Sequence, residues 1–288
     1  MQWTVGKVKI TKIAEMETTG GTRFILPQAG PDEVRARPWL IPHFANDEGR
    51  LKMAVQSLVL ETPSQRIVVD TCLGNDKQGR KVAIWNNLQT TFLNDMTAAG
   101  FPPDSIDMVL CTHLHVDHVG WNTRLLDGKW VPTFSNARYV FGEREYAHWK
   151  ACNANEDVPE FNDSVQPIVD AGRADLVASD RQLSDEITLI PTPGHSPGHM
   201  SVHIRSEGEE ALLTGDVAHH PIQMAHLDWS STVDSDPLAA AATRRTLFTR
   251  FADTPTLVIG GHFDAGFLKR DGDGFRLDAF SEATRVSG

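Results

Sequence analysis

Cysteine is scarce in this 288-residue chain: Cys72, Cys111 and Cys152 are its only three, widely spaced, and none forms a C-x-x-C pair. That excludes a disulfide framework and fits reduced thiols in a cytoplasm. No apolar run approaches the roughly 20 residues that span a bilayer, and residues 1–16 alternate like a strand where an export signal would be apolar. Neither membrane insertion nor export is expected. Basic residues are in deficit too, 27 Lys and Arg against 38 Asp and Glu, for a net charge of −11. A surface of that sign repels a polyanion, and no cluster of cations interleaved with aromatics offsets it, so nucleic acid is not an expected partner.

What is present is an ordinary globular balance, 40% hydrophobic and 23% charged, enough for a sizeable core. Short apolar or alternating runs at 8–13, 55–60, 67–70, 108–111, 139–141, 187–190, 200–204, 211–213 and 257–259 read as strands. Helical spacing is expected over 84–99, 143–152 and 237–251, the last capped by Asp236 ahead of Pro237. The runs AVQSLVLE and RIVVD, joined through Thr62-Pro-Ser-Gln65, form a hairpin signature. The polar stretch 152–163 reads as a surface loop. Without repeats or low-complexity tracts, residues 1–288 are expected to form one domain of mixed α and β layers.

The chemistry concentrates in THLHVDHVGW, where His113, His115, Asp117 and His118 fall within six residues. Several apolar residues precede it, so the ligands lie where a buried strand gives way to a loop: the strand fixes the backbone and the loop meets substrate. His113 and His115 can share one face of an extended segment while Asp117 and His118 follow as the chain turns, and two faces suggest two cations. Three more apolar runs end in a glycine and a ligand type: PGH at His195, GD at Asp216 and GGH at His262. Gly194, Gly215 and Gly261 allow the tight turns such a rim needs. An accidental solvated histidine loop does not account for four such motifs.

H-x-H-x-D-H followed in order by GH, GD and GH resembles the metallo-β-lactamase superfamily, in its dinuclear hydrolase branch, and the likeness runs from the hairpin ending in Asp70 to His262. The resemblance implies an α/β (α+β) fold of four layers, an αββα sandwich. Carried over by position, it implies one zinc on His113, His115 and His195, a second on Asp117, His118 and His262, and Asp216 bridging both. Asp70 falls where relatives keep an Asp behind a ligand histidine. A donor set of His and Asp without Cys suits zinc and tolerates manganese, iron or cobalt. Two cations sharing a water bring its pKa toward neutrality, so a bridging hydroxide needs no Ser or Cys nucleophile. Asp117 or Asp216 is expected to orient it and pass on the proton.

The bridging carboxylate resembles lactonase, phosphotriesterase and glyoxalase members more than true β-lactamases. The stretch after His262 is too short for the glutathione-binding segment of glyoxalase relatives, and ribonuclease relatives would want a basic surface. GDVAHHPIQ resembles acyl-homoserine-lactone lactonases and methyl-parathion-hydrolase-like proteins, although the lactonase tyrosine has no match between Val217 and Met224. The expected substrate is a neutral lactone or ester. A phosphotriester, a β-lactamase side activity and a noncatalytic metal-bearing sensor are the alternatives, and a homodimer is left open. Candidate pocket residues are Phe44, Trp85, Trp121, Trp149, His219, His220 and Met224, although seven Trp in one chain mostly fill core. His199 reads as supporting the ligands, and His148, His203 and His226 as packed or surface residues.

Overall fold

The structure is a computed structural model that describes residues 1–281. Its strands, in chain order, are β1 (Gln2–Val5), β2 (Val8–Thr19), β3 (Lys52–Glu61), β4 (Arg66–Val69), β5 (Met108–Leu110), β6 (Thr123–Leu126), β7 (Lys129–Pro132), β8 (Arg138–Gly142), β9 (Ala174–Val177), β10 (Ile187–Pro191), β11 (Met200–Ser206), β12 (Glu209–Leu213), β13 (Leu257–Ile259), β14 (Gly266–Asp271) and β15 (Gly274–Ala279). The α-helices are α1 (Pro31–Arg35), α2 (Phe92–Ala98), α3 (Val116–Val119), α4 (Glu143–Asn155), α5 (Gln166–Asp170), α6 (Ile222–Ala225) and α7 (Pro237–Phe251). Contacts divide the chain into two compact units, one of Met1–Met16 and Val55–Arg181, the other of Glu17–Ala54 and Gln182–Gly288.

The first unit is organised on a seven-stranded sheet, β1-β2-β3-β4-β5-β8-β9. The β3–β4 hairpin pairs Leu58 with Val69 through Glu61 with Arg66, antiparallel across the Thr62–Gln65 turn as the proline signature requires. β4, β5, β8 and β9 then run parallel, which is why helices must carry the chain back between them. Val59, Val68, Val109, Tyr139 and Phe141 are fully buried in its core with Phe92 and Met96 of α2.

The second unit is organised on a six-stranded sheet, β10-β11-β12-β13-β14-β15. Only β12 and β13 are parallel, and the connection between them contains α7. Asp236 caps that helix by accepting from the Ala239 amide at 3.0 Å, and Pro237 opens it, as its missing N–H permits. Leu247, Phe248 and Phe251 face the core with Leu212, Val258 and Leu268.

Two expectations change. Helical spacing over 84–99 gives a single 3-10 turn at Ala83–Trp85 and then α2 from Phe92. Asn87 takes a left-handed φ of 55° and the Asn86 side chain bonds back to Arg80, so the turn is fixed and the helix cannot propagate across it. The polar stretch 152–163 is not all loop: α4 runs on to Asn155, and a π-helical turn begins at Phe161. Val158 and Phe161 are buried in the first unit's core, and that burial folds the segment down. Cys72, Cys111 and Cys152 are free thiols, and no helix among the described residues is long and apolar enough to cross a membrane.

Candidate metal centre

In the first unit, β5 delivers Cys111 and Thr112, and His113 and His115 follow before α3 begins at Val116 with Asp117 and His118 in its first turn. His113 and His118 are buried, whereas His115 and Asp117 are only half-buried. Asp70, just beyond β4 at a left-handed φ of 57°, explains how two of these rings are held. Its carboxylate accepts from the Thr112 amide and hydroxyl, both at 2.8 Å, and from His118 Nδ1 at 2.8 Å. Because the Thr112 hydroxyl spends its proton on Asp70, it must accept from His113 Nδ1, 3.0 Å away. One buried carboxylate thus sets both histidines as Nδ1–H tautomers and leaves each Nε2 lone pair for a cation.

His113 Nε2 lies 3.1 Å from His115 Nδ1, close to the separation of about 3.3 Å between two nitrogens sharing one tetrahedral zinc. Trp149 packs edge-on to the His115 ring, with centroids 5.3 Å apart, and donates to Glu145 Oε1, which also receives the Leu114 amide. Cys111 stands next to this array with its Sγ by the His118 carbonyl and Asn122 Oδ1, and burial pushes its thiol well above the ordinary range.

In the second unit, His195, Asp216 and His262 follow β10, β12 and β13. Asp216 Oδ2 lies 3.5 Å from His195 Nε2 and 3.1 Å from His262 Nε2. Each ring is locked from behind: His195 Nδ1 donates to Asp234 Oδ1 at 2.9 Å and His262 Nδ1 to the Ala54 carbonyl at 2.8 Å. The Asp216 backbone is fixed as well. Its amide donates to His199 Nε2 at 2.9 Å, His199 Nδ1 donates to Thr192, Thr192 to Ser201, and Ser201 to the Thr214 carbonyl. A Cβ at Gly261 would come within 2.6 Å of Asp216 Oδ1, so only glycine leaves the carboxylate its room.

Two residues that sequence reasoning missed stand behind His195. The Asp234 side chain is buried, its carboxyl held above the usual range by burial, and it also accepts from the Ser231 amide. Arg244, fully buried, donates to the carbonyls of Val217, Leu227 and Trp229 and sets Nη2 3.7 Å from Asp234 Oδ2. Neither lies in a motif, and no local signal marks them. The only available hint is a cationic residue inside the otherwise apolar face of α7.

The aromatic pocket expected from sequence largely dissolves into core. Phe44 and Met224 are buried in the second unit's hydrophobic cluster. Trp121 is buried in that of the first, stacked on Phe92 and donating to Glu15, and Trp85 packs half-buried against the same cluster. Each ring or thioether finds more apolar area inward than a pocket would offer. His220 is also core rather than pocket: it is fully buried, Nε2 donates to the Phe44 carbonyl at 2.8 Å and Nδ1 accepts the Ile222 amide at 3.1 Å. His219 keeps a place beside Asp216, with Nε2 3.3 Å from Oδ2. His203 pairs with Glu210, His226 stacks on Trp229, and His148 lies beside Cys152.

Burial drives the His220 pKa down to about 4, against a smaller upward pull from the Phe44 carbonyl. The unfolded chain therefore takes up a proton near pH 6.5 that the folded chain refuses until about pH 4. Stability contributed by neutral His220 is full above pH 6.5 and falls as pH drops through that window, by roughly 3 kcal/mol in all. Urea unfolding from pH 7 to 4 should show this slope in the wild type and a shallower one in His220→Gln; equal slopes would contradict it.

The donor set fits divalent cations: imidazoles with fixed tautomers and buried carboxylates, without a thiolate. Comparisons with known proteins agree. A model of the metallo-beta-lactamase superfamily matches residues 52–262. An N-acyl homoserine lactonase of Bacillus thuringiensis is 25% identical over 182 residues, 59% of this chain and 66% of that protein, so the chain spans just under two thirds of that relative. Among solved structures, the hydrolase AbOPH in the beta lactamase superfamily aligns with a TM-score of 0.78 at 22% identity, over 97% of both chains. AidC, a dizinc quorum-quenching lactonase, aligns with a TM-score of 0.75 at 21% identity, over 98% of this chain and 97% of its own. The mixed α/β fold is thus the sandwich fold those proteins have.

Proposed function

This chain belongs to the metallo-beta-lactamase superfamily, and we propose that it is a dinuclear metal-dependent hydrolase that opens lactones or cleaves related neutral esters. The observation that carries the reading is Asp216 Oδ2, buried and faced at 3.1 and 3.5 Å by two imidazole nitrogens whose opposite nitrogens are already spoken for. With the rings neutral and their Nδ1 protons committed, lone pairs and a carboxylate oxygen so arranged repel one another, and a cation among them turns that repulsion into attraction. In this reading His113, His115 and His195 would hold one ion, Asp117, His118 and His262 would hold the other, and Asp216 would serve both. Zinc suits the nitrogen-rich donors, and a dizinc lactonase among the structural neighbours supports that choice. The chemistry a bound pair of such ions would supply is a water acidified toward neutral pH and an electrophile for a carbonyl oxygen.

The chain's own groups do the rest. Asp70 and Asp234 keep the histidines in their ligating tautomers. Asp117, 15% exposed, is the ligand carboxylate a departing oxygen can reach, and it passes the proton across. Lactone as substrate class rests on the lactonase relatives.

Elemental analysis should find two zinc-class ions per chain. A panel of an N-acyl-homoserine lactone, an aryl ester, a phosphotriester and a β-lactam should show fastest turnover of the lactone or ester, lost on chelation and restored by Zn2+ or Mn2+. Turnover indifferent to exhaustive chelation would overturn the metal mechanism, and tight lactone binding without turnover would make the protein a sensor.

A further inference from the structure

The turn that carries His195 is bound to α7 along its backbone. The Thr243 hydroxyl donates to the Pro193 carbonyl at 2.6 Å, and the Asp236 and Ser235 amides donate to the carbonyls of Gly194 and His195, both at 2.9 Å. A Cβ on Gly194 would lie 2.3 Å from the Ala240 nitrogen, so turn and helix touch backbone to backbone. These contacts fix where the residue stands but not how its ring is turned. Asp234 sets the ring, because its Oδ1 takes the Nδ1 proton at 2.9 Å and an acceptor behind one imidazole nitrogen aims the other.

Asp234 lies in the connection between α6 and α7, outside any helix or strand, so its carboxylate must be held in turn. Oδ2 accepts from the Ser231 amide at 2.9 Å and faces Arg244 Nη2 at 3.7 Å, with both side chains fully buried. Arg244 stands one helical turn beyond Ala240, on the α7 face that meets the His195 turn. Its guanidinium is anchored: Nε donates to the Val217 carbonyl at 2.9 Å, and Nη1 to those of Leu227 at 2.7 Å and Trp229 at 2.9 Å. A planar fork tied down at two nitrogens has its third already aimed. Neutral donors would satisfy three carbonyls, whereas a buried full charge calls for an opposite one, which Asp234 supplies.

We propose that Arg244 is a positioning residue for His195: anchored on three carbonyls, it fixes the Asp234 carboxylate, and that carboxylate turns the imidazole so that Nε2 faces Asp216. That the ring so turned serves a metal rests on the hydrolase reading; the linkage Arg244–Asp234–His195 does not. The role differs from plain support of the fold in one respect. It runs through a single carboxylate, so it disappears when that carboxylate is neutralised.

The experiment compares wild type with Arg244→Met, Arg244→Lys, Asp234→Asn and the double variant Arg244→Met with Asp234→Asn, each as the full purified chain. Three quantities are measured: melting temperature, zinc affinity by competition against a chelator, and exchange of the His195 Nδ1 proton by ring-nitrogen NMR, assigned by its loss in His195→Asn. That proton should exchange slowly in wild type and fast in Arg244→Met. Zinc affinity should fall about 10- to 100-fold in Arg244→Met but stay within about tenfold of wild type in Arg244→Lys, which keeps a cation opposite Asp234. In the Asp234→Asn background, adding Arg244→Met should change affinity by less than about threefold. Melting temperature should fall in both Arg244 variants, since both give up donors to the loop carbonyls. Equal loss of zinc affinity in the Met and Lys variants, or full additivity with Asp234→Asn, would make Arg244 a support of the fold alone and overturn the proposal. If Arg244→Met does not fold, Arg244→Gln takes its place with the same expectations. A wild type that holds no zinc sinks the hydrolase reading; the NMR then judges Arg244 by itself, and a His195 proton unmoved in Arg244→Met overturns it.

Discussion

Asp216→Ala should retain no more than one equivalent of divalent metal and lose roughly a thousandfold or more of lactone turnover. Its Oδ2 has three imidazole nitrogens within reach, His262 at 3.1 Å, His219 at 3.3 Å and His195 at 3.5 Å. Removing the carboxylate leaves three buried rings around a neutral methyl group, with no anion to balance a second cation. Asp216→Asn separates charge from shape, because the amide fills the same space but cannot bridge with two anionic lone pairs. Metal analysis alongside kcat/KM checks the expectation, with circular dichroism to establish folding. Two retained equivalents with activity within tenfold of wild type would remove Asp216 from the centre of the chemistry.

The second large effect concerns stability. Gly120→Ala should lower the melting temperature by roughly 6–12 °C, which for a chain of this size corresponds to about 3 kcal/mol. A Cβ on residue 120 would lie 1.8 Å from the Leu73 carbonyl oxygen and 1.9 Å from its carbon. The two backbones are that close because they are laced together: the Thr71 amide donates to the His118 carbonyl, Gly120 to Cys72 and Trp121 to Thr71, at 2.7–2.8 Å. Backbone cannot swing aside as a flexible side chain can, so the methyl group must part the two segments. Asp70 lies on one of them and His118 on the other, and the variant should also bind metal more weakly. Gly30→Ala, with open space around it, is the control. A melting temperature within 2 °C of wild type for Gly120→Ala would show that the loops part at little cost.

Much of this is legible in the sequence. Each of the nine expected strands is present, because alternation and short β-branched runs are local properties that a sheet only has to accept. The helix over 237–251 was marked by its cap and its proline. The 84–99 pattern was misleading because a pair of asparagines overrode the helical spacing. The motifs of metal-ligand type stand out for a related reason: imidazole and carboxylate next to glycine at the ends of apolar runs are rare.

The sequence by itself determined the strands, the superfamily likeness and where side chains of metal-ligand type stand along the chain, since those follow from residue type and spacing over a few positions. Only the tertiary structure decided what stands behind and beside them. Asp234 meets His195 across 39 residues, Arg244 approaches Asp234 from inside a helix, and two consecutive histidines part company, one satisfied in the core and one turned toward Asp216. Hydrogen-bond partnership and burial depend on distances between segments remote in the chain, and no pattern along a single strand or loop encodes them.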